Sequence, residues 1–346
     1  MNDKIVGAVY EVTRKYKDPV TNLSLDKNNK NFSIIYNEGR INISINIQPN
    51  FKEKYKTLSY NLKENIEKLN EVLSANIILT SEKSQDDNIS EKQRFSIDAK
   101  NIIAIASGKG GVGKSTFAVN YAVALKTIGL KVGLLDADIY GPSIPRMMGI
   151  TSRPQANENK KLVPLINYDV KCMSIGFLID VDTPAIWRGP MVMKALEQMY
   201  NGVEWGELDY LIIDLPPGTG DAQLTLAQNS KLTGSLVIST PQDVALIDAR
   251  KAINMFNKVN IPVLGLIENM SYFICDSCNT RHEIFSSGSL KKEAEKYKTN
   301  YLGELPIEKK LRIQSDEGRP SCIDDVNSNM SKIYLSIAKK IDDSLN

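Results

Sequence analysis

One stretch limits the fold more than any other: Ser107-Gly108-Lys109-Gly110-Gly111-Val112-Gly113-Lys114-Ser115-Thr116. The apolar run at 101–106 precedes it and reads as a buried strand. Residues 117–128 follow with apolar side chains at helical spacing. Strand, glycine loop, helix is the context that the phosphate-binding pattern G-x-x-x-x-G-K-[ST] requires. Glycines let the backbone curl without Cβ clashes, so successive N–H groups point inward at a polyphosphate. The helix that opens there adds free amides and the positive end of its dipole. Gly108, Gly110, Gly111, Val112 and Gly113 are the expected cradle for that polyphosphate, with Thr116 in the first helical turn. Lys114 is expected to reach the β- and γ-phosphates, and the Ser115 hydroxyl to bind Mg²⁺.

Beyond residue 100 the pattern alternates. Strands are expected at 102–107, 131–135, 170–175, 209–213, 234–239, 262–267 and 300–304, and helices at 114–128, 190–200, 221–229, 243–259, 287–297 and 326–343. Alternating β and α segments with wholly apolar strands predict an α/β fold with a doubly wound, mainly parallel sheet. In such sheets ligands sit beyond the carboxyl ends of the strands, and polar motifs fall there. Asp136 and Asp138 follow one strand, placed to hold Mg²⁺ directly or through water and to orient an attacking water. Ile139-Tyr140-Gly141-Pro142-Ser143 continues as a turn suited to a switch segment. Asp214 ends another strand and is expected to bind a water of the Mg²⁺ shell. Leu215-Pro216-Pro217-Gly218 follows it, with the Gly218 amide placed to sense a γ-phosphate. Asn269 follows a third strand, and its amide matches the donor and acceptor pattern of adenine. Leu305-Pro306, after the last strand, is a candidate for packing on the base.

Residues 1–83 read as a small α+β domain in the order α-β-β-α-β. Ile41, Ile43, Ile45 and Ile47 alternate with Asn42, Ser44 and Asn46, which predicts a strand with one wet face. Asn37-Glu38-Gly39 is a hairpin signal. Leu58, Leu62, Ile66, Leu69 and Val72/Leu73 mark an amphipathic helix. Polar residues at 84–99 read as a linker to the domain at 100–346.

Lysine plus arginine (43) nearly balances aspartate plus glutamate (41), which gives no electrostatic case for nucleic acid or a membrane surface. No apolar run reaches membrane-spanning length, and residues 1–11 do not resemble a signal peptide, so a cytoplasmic protein is expected. Four cysteines in 346 residues make no disulfide framework and point to reduced thiols. With one histidine, His282, a histidine-rich metal site is impossible.

Two of those cysteines form Cys275-Asp276-Ser277-Cys278. Such spacing lets two thiolates share one metal or cluster edge. Tetrahedral zinc needs four ligands, and a [4Fe–4S] cluster needs four cysteines. The other thiols, Cys172 and Cys322, are isolated. A symmetric dimer with this pair on its two-fold axis would supply four thiolates. A zinc knuckle using His282 as well, a dithiol redox pair, and inert cysteines are the alternatives.

The early lysine matters here. Lys109-Gly110-Gly111-Val112-Gly113-Lys114-Ser115 resembles the deviant phosphate loop of the MinD, ParA and nitrogenase-iron-protein group. That resemblance implies a homodimer that sandwiches ATP, with Lys109 reaching the partner's nucleotide. Together with the Asp136–Ser143 and Asp214–Asp221 stretches, Glu268-Asn269-Met270-Ser271, and Cys275/Cys278 followed by Ile284-Phe285, the chain over 100–345 resembles the Mrp/ApbC family of P-loop ATPases that carry iron–sulfur clusters. The resemblance implies a homodimer, a labile bridging [4Fe–4S] cluster, ATP hydrolysis with Mg²⁺, and an iron–sulfur scaffold and acceptor apoproteins as partners. Lys109, Lys114, Asp136, Asp138 and Asp214 are the expected catalytic set. The family often has proline after the first cysteine and glycine after the second, where this chain has Asp276 and Asn279. The first domain resembles an iron–sulfur-assembly domain, but 49–55 carries no cysteine, so a docking or structural module is expected there. A positioning ATPase of the MinD/ParA kind with structural zinc would share the loop and leave the paired cysteines less well explained. In a nitrogenase-type reductase the cysteines are single and widely separated.

Overall fold

The computed structural model describes residues 2–27, 29, 31–37, 40–47, 49–69, 72–80, 97–179 and 189–346. Two compact units divide the chain, 1–92 and 93–346. Most of the expected linker, the hairpin residues Glu38 and Gly39, and Gln48 lie outside the described residues.

The first unit runs α1 (Asn2–Thr13), β1 (Phe32–Asn37), β2 (Arg40–Asn46), a 3₁₀ turn (Pro49–Tyr55), α2 (Lys56–Ile66) and β3 (Ser74–Thr80). β2 is central, antiparallel to β1 and parallel to β3. Its isoleucines do alternate: Ile41, Ile43 and Ile45 are buried against Val9, Leu62 and Ile66. The helix is shorter than its apolar spacing predicts. It stops at Ile66, Leu69 packs from beyond its end, and Leu73 is exposed. Asp18 is buried behind its turn, where it accepts hydrogen bonds from the Val20 and Thr21 amides and from the Tyr55 hydroxyl.

The second unit is the predicted α/β sheet. Its elements are β4 (Ala99–Ala106), α3 (Lys114–Thr127), β5 (Val132–Asp136), α4 (Ile144–Met147), β6 (Leu165–Asn167), β7 (Val170–Ser174), α5 (Gly189–Asn201), β8 (Leu208–Asp214), α6 (Asp221–Asn229) and β9 (Gly234–Ser239). They continue with α7 (Asp243–Lys258), β10 (Val263–Ile274), β11 (Arg281–His282), α8 (Ser289–Tyr297), β12 (Tyr301–Ile307), α9 (Lys309–Asp316), α10 (Ser321–Asp324) and α11 (Asn329–Leu345). The strand order is β11-β10-β9-β4-β8-β5-β7-β6, with β12 also beside β10. The β6/β7 and β10/β11 pairs are antiparallel and the other pairs parallel.

β4, β5, β8 and β9 are buried along most of their length, which is why they read as continuous apolar runs rather than alternating ones. The chain leaves β4 for β5 on one side, returns to fill the gap with β8, and then crosses to β9 on the other. This reversal opens a crevice at the end of β4, where open α/β sheets bind ligands. α11 buries Met330, Tyr334, Ile337, Ala338 and Ile341 on one face and packs on α3, with Tyr334 against Phe117. That face is core.

The largest departure is β10. Its expected end at 267 is overrun by seven residues, and the strand reaches Ile274.

Candidate functional site

The glycine loop leaves β4 and enters α3 through Gly113, whose φ of +84° is left-handed. A Cβ there would lie 2.3 Å from Asn269 Nδ2, so glycine is required both by conformation and by space. At Gly108 a Cβ would meet the Asp248 backbone of α7 at 2.1 Å. The loop is thus seated against two neighbouring elements.

Around it a cavity of about 200 Å³ is lined by loop residues with Lys109, Lys114, Ser115, Thr116, Asp138 and Pro217 among them. Lys114 Nζ donates to Asp214 Oδ1 at 2.6 Å, and Ser115 Oγ donates to Asp214 Oδ2 at 2.5 Å. Asp136 and Asp214 are register partners at the ends of adjacent parallel strands. Both are completely buried. Burial pushes Asp136 up to about 7, with the Asp214 charge as the next cause and Lys114 opposing it. Asp214 is also raised by burial, while Lys114 and Ser115 pull it down.

The two aspartates of the Asp136-Ala137-Asp138 motif do different things. Asp138 lines the cavity. Asp136 lies beneath it and accepts from the Asp138 and Ile144 amides and from Ser174 Oγ, so it anchors both ends of the segment at 138–144. Ser174, at the end of β7, carries no motif signal, and only the register of β7 on β5 brings it there. The Gly218 amide donates to the Ser107 carbonyl at 3.1 Å, which ties its loop to the base of the phosphate loop. Asn269 is buried. It donates from Nδ2 to the Val112 carbonyl at 2.8 Å and accepts the Met270 amide, leaving one N–H and one lone pair unassigned. Leu305 is wholly buried in β12, so it cannot reach a base.

Cys275 and Cys278 sit on the turn that joins β10 to β11. The Cys275 amide donates to the Thr280 carbonyl, and the Asn279 amide to the Cys275 carbonyl. Cys275 is half-buried and Cys278 exposed. The Thr280 hydroxyl lies 3.2 Å from Cys278 Sγ and, with the Thr280 backbone, holds that thiol below its ordinary value. Among the described residues no group of three or more histidines, cysteines and carboxylates is placed to hold a metal ion. His282 therefore does not complete a zinc site with the pair inside one chain. Cys172 and Cys322 are buried elsewhere, in β7 and α10. Pro306 lines a cavity of about 560 Å³ beside Cys275, together with Phe273, Lys309 and Ile313.

Asn279 explains one departure from the family pattern. Its φ is +55°, a left-handed position that glycine takes freely and asparagine tolerates better than most residues.

Fold and loop together define a P-loop NTPase with the MinD/ParA architecture. The MinD cell-division ATPase of Pyrococcus furiosus superposes with a TM-score of 0.53 at 20% identity, over 71% of this chain and 99% of that one. The nucleotide-binding protein of Archaeoglobus fulgidus in complex with ADP gives 0.60 at 38% identity, over 68% and 93%.

Residues 98–342 match the sequence model of the NUBPL iron-transfer P-loop NTPase family, and the chain belongs to that family. The Arabidopsis thaliana mitochondrial iron–sulfur protein required for NADH dehydrogenase is 54% identical over 243 residues, 70% of this chain and 78% of that protein. The iron–sulfur cluster carrier protein of Escherichia coli K12 is 51% identical, over 70% of this chain and 66% of its own. Among the described residues no helix is long and apolar enough to cross a membrane.

Proposed function

We propose that this chain binds and hydrolyses ATP and carries an iron–sulfur cluster, held between two copies, for transfer to acceptor apoproteins. One observation carries the reading. Asn269 of β10 bonds to the phosphate loop, and the Cys275/Cys278 pair sits on the turn at the end of that same strand, with Cys278 exposed. The names of relatives at about half identity, iron–sulfur cluster carrier among them, support it.

In this proposal the glycine loop amides and Lys114 cradle the phosphates. Ser115 and Asp214 have the oxygen donors that suit Mg²⁺, which would neutralise charge between the β- and γ-phosphates. Asp138 positions the attacking water, and Asp136 fixes the segment that carries Asp138. Lys109 reaches the nucleotide of the second copy. Pro217-Gly218 reads the γ-phosphate, and Asn269 reads adenine. Cys275 and Cys278 of each copy hold one edge of a [4Fe–4S] cargo. A scaffold would load it, in the cytoplasm. A MinD-like positioning ATPase leaves the paired thiols without work.

Anaerobic reconstitution with iron and sulfide tests this. About four irons per two chains, with visible charge-transfer absorption that Cys275→Ser abolishes, is the expected result. Bound zinc without a chromophore would overturn it.

A further inference from the structure

Between Asn269 and Cys275, β10 is not a plain strand. Against β12 its register runs Glu268↔Glu304 and then Tyr272↔Pro306, so four steps on β10 face two on β12. Met270 takes up the excess with a left-handed φ of +57°. This bulge is gripped from both sides. On one, Asn269 Nδ2 holds the Val112 carbonyl of the phosphate loop. On the other, Ser271 Oγ lies 2.7 Å from Glu268 Oε1 and 3.1 Å from Glu304 Oε2. Ser271 has one hydroxyl proton, so it donates to one carboxylate oxygen at a time. Two discrete arrangements follow, one toward each glutamate.

Each glutamate leads to an end of the cysteine arm. Glu268, completely buried, accepts the Gly288 and Leu290 amides at 2.9 Å each and so caps α8, where the arm re-enters the fold. Glu304 accepts two N–H groups of Arg281, at 2.7 and 3.1 Å. The Arg281 guanidinium stacks on the Tyr272 ring at 3.9 Å, and the Arg281 backbone pairs across the hairpin with Ile274, next to Cys275. The planar fork and the stacking are both properties that lysine lacks.

We infer that the Asn269–Ser271 bulge, the Ser271 hydroxyl and the Arg281–Glu304 clamp link the phosphate loop to the Cys275/Cys278 hairpin, with Arg281 as the positioning residue. Movement of Val112 on nucleotide binding shifts Asn269, the bulge re-seats, and the Ser271 hydroxyl changes carboxylate. The hairpin then changes its hold on the thiols. The inference rests on the proposed cysteine site, but it can be read without a cluster.

The test is the rate at which iodoacetamide alkylates Cys275 and Cys278 in the full cluster-free chain, with no nucleotide or with saturating Mg·ADP or Mg·ATP. Wild type is expected to change rate by at least about 5-fold between these states. Arg281→Gln and Ser271→Ala are expected to bind nucleotide normally yet respond within about 2-fold. Arg281→Lys is expected to restore part of the response. A full response in both Arg281→Gln and Ser271→Ala, or none in wild type, overturns the link. Iron–sulfide reconstitution of wild type separates the two ideas. Its failure removes the carrier reading, whereas a flat alkylation response beside normal reconstitution removes the link alone.

Discussion

Asp214 is wholly buried and bonded to both Lys114 and Ser115, whereas Cys278, at the far end of β10, is exposed with Thr280 as its polar neighbour. Each group at the phosphate site is held by another. Asp136 secures the following segment, Gly218 the loop base, and Asn269 the loop rim. The cysteine hairpin has backbone order but an open face. Under the proposed function, the difference divides two tasks within one chain. Groups that stabilise charge in a reaction work best preorganised and shielded from water. Ligands that must give up a cargo have to be reachable by the receiving protein.

The comparison can be broken at either end. Cys275→Ser or Cys278→Ser is expected to abolish cluster binding and transfer while ATP hydrolysis continues, read by visible absorption and phosphate release. Delivery of a cluster by either variant would end the carrier proposal. Lys114→Ala is expected to lower ATP hydrolysis by about 100-fold or more and to leave cluster binding in place. Loss of the cluster in that variant would show the two sites to be one. Breaking the buried pair also leaves Asp214 without its cation, so the melting temperature should fall; the general cost of such a loss is about 3–5 kcal/mol.

A smaller effect sharpens the account of burial. The Asp136 carboxyl sits at about 7 when folded, above its unfolded value, so the folded protein binds the extra proton. Its contribution to stability is full below about pH 4 and is lost as pH rises through about 7. Asp136→Asn is expected to flatten the decline in unfolding free energy between about pH 5 and pH 8 by about 2–3 kcal/mol. Parallel denaturant-melt profiles for the two proteins would refute this. The smallest effect concerns the turn. Asn279→Gly is expected to change stability and cluster lifetime by less than about 0.5 kcal/mol, and Asn279→Ala to cost about 1 kcal/mol, because only alanine resists the left-handed backbone.

The phosphate loop, the strands around it and the aspartates at their ends were legible because their signals are local. A glycine turn between an apolar strand and a helix needs no distant partner to be recognised. The full extent of β10 is not legible for the opposite reason. Glu268-Asn269 looks like a loop, since a buried glutamate in a strand is costly unless it is satisfied. Its partners are the amides that open α8, twenty and twenty-two residues away. The short elements α4, α9, α10, β6 and β11 also fall outside the expected strands and helices. Arg281-His282 has no strand character of its own and pairs because the turn before it brings it back along β10. In the first unit, α2 ends before its apolar spacing does, because Leu69 packs from outside the helix.

By itself the sequence determined the α/β class, the glycine loop between strand and helix, the paired thiols and the α-β-β-α-β order of the first unit, all carried by spacing within a few residues. Only the tertiary structure decided that Asp136 lies beneath Asp138, that Ser174 supports it, and that one bulged strand joins the phosphate loop to the cysteine hairpin. These depend on strand register and on burial, which bring together side chains that no local pattern connects.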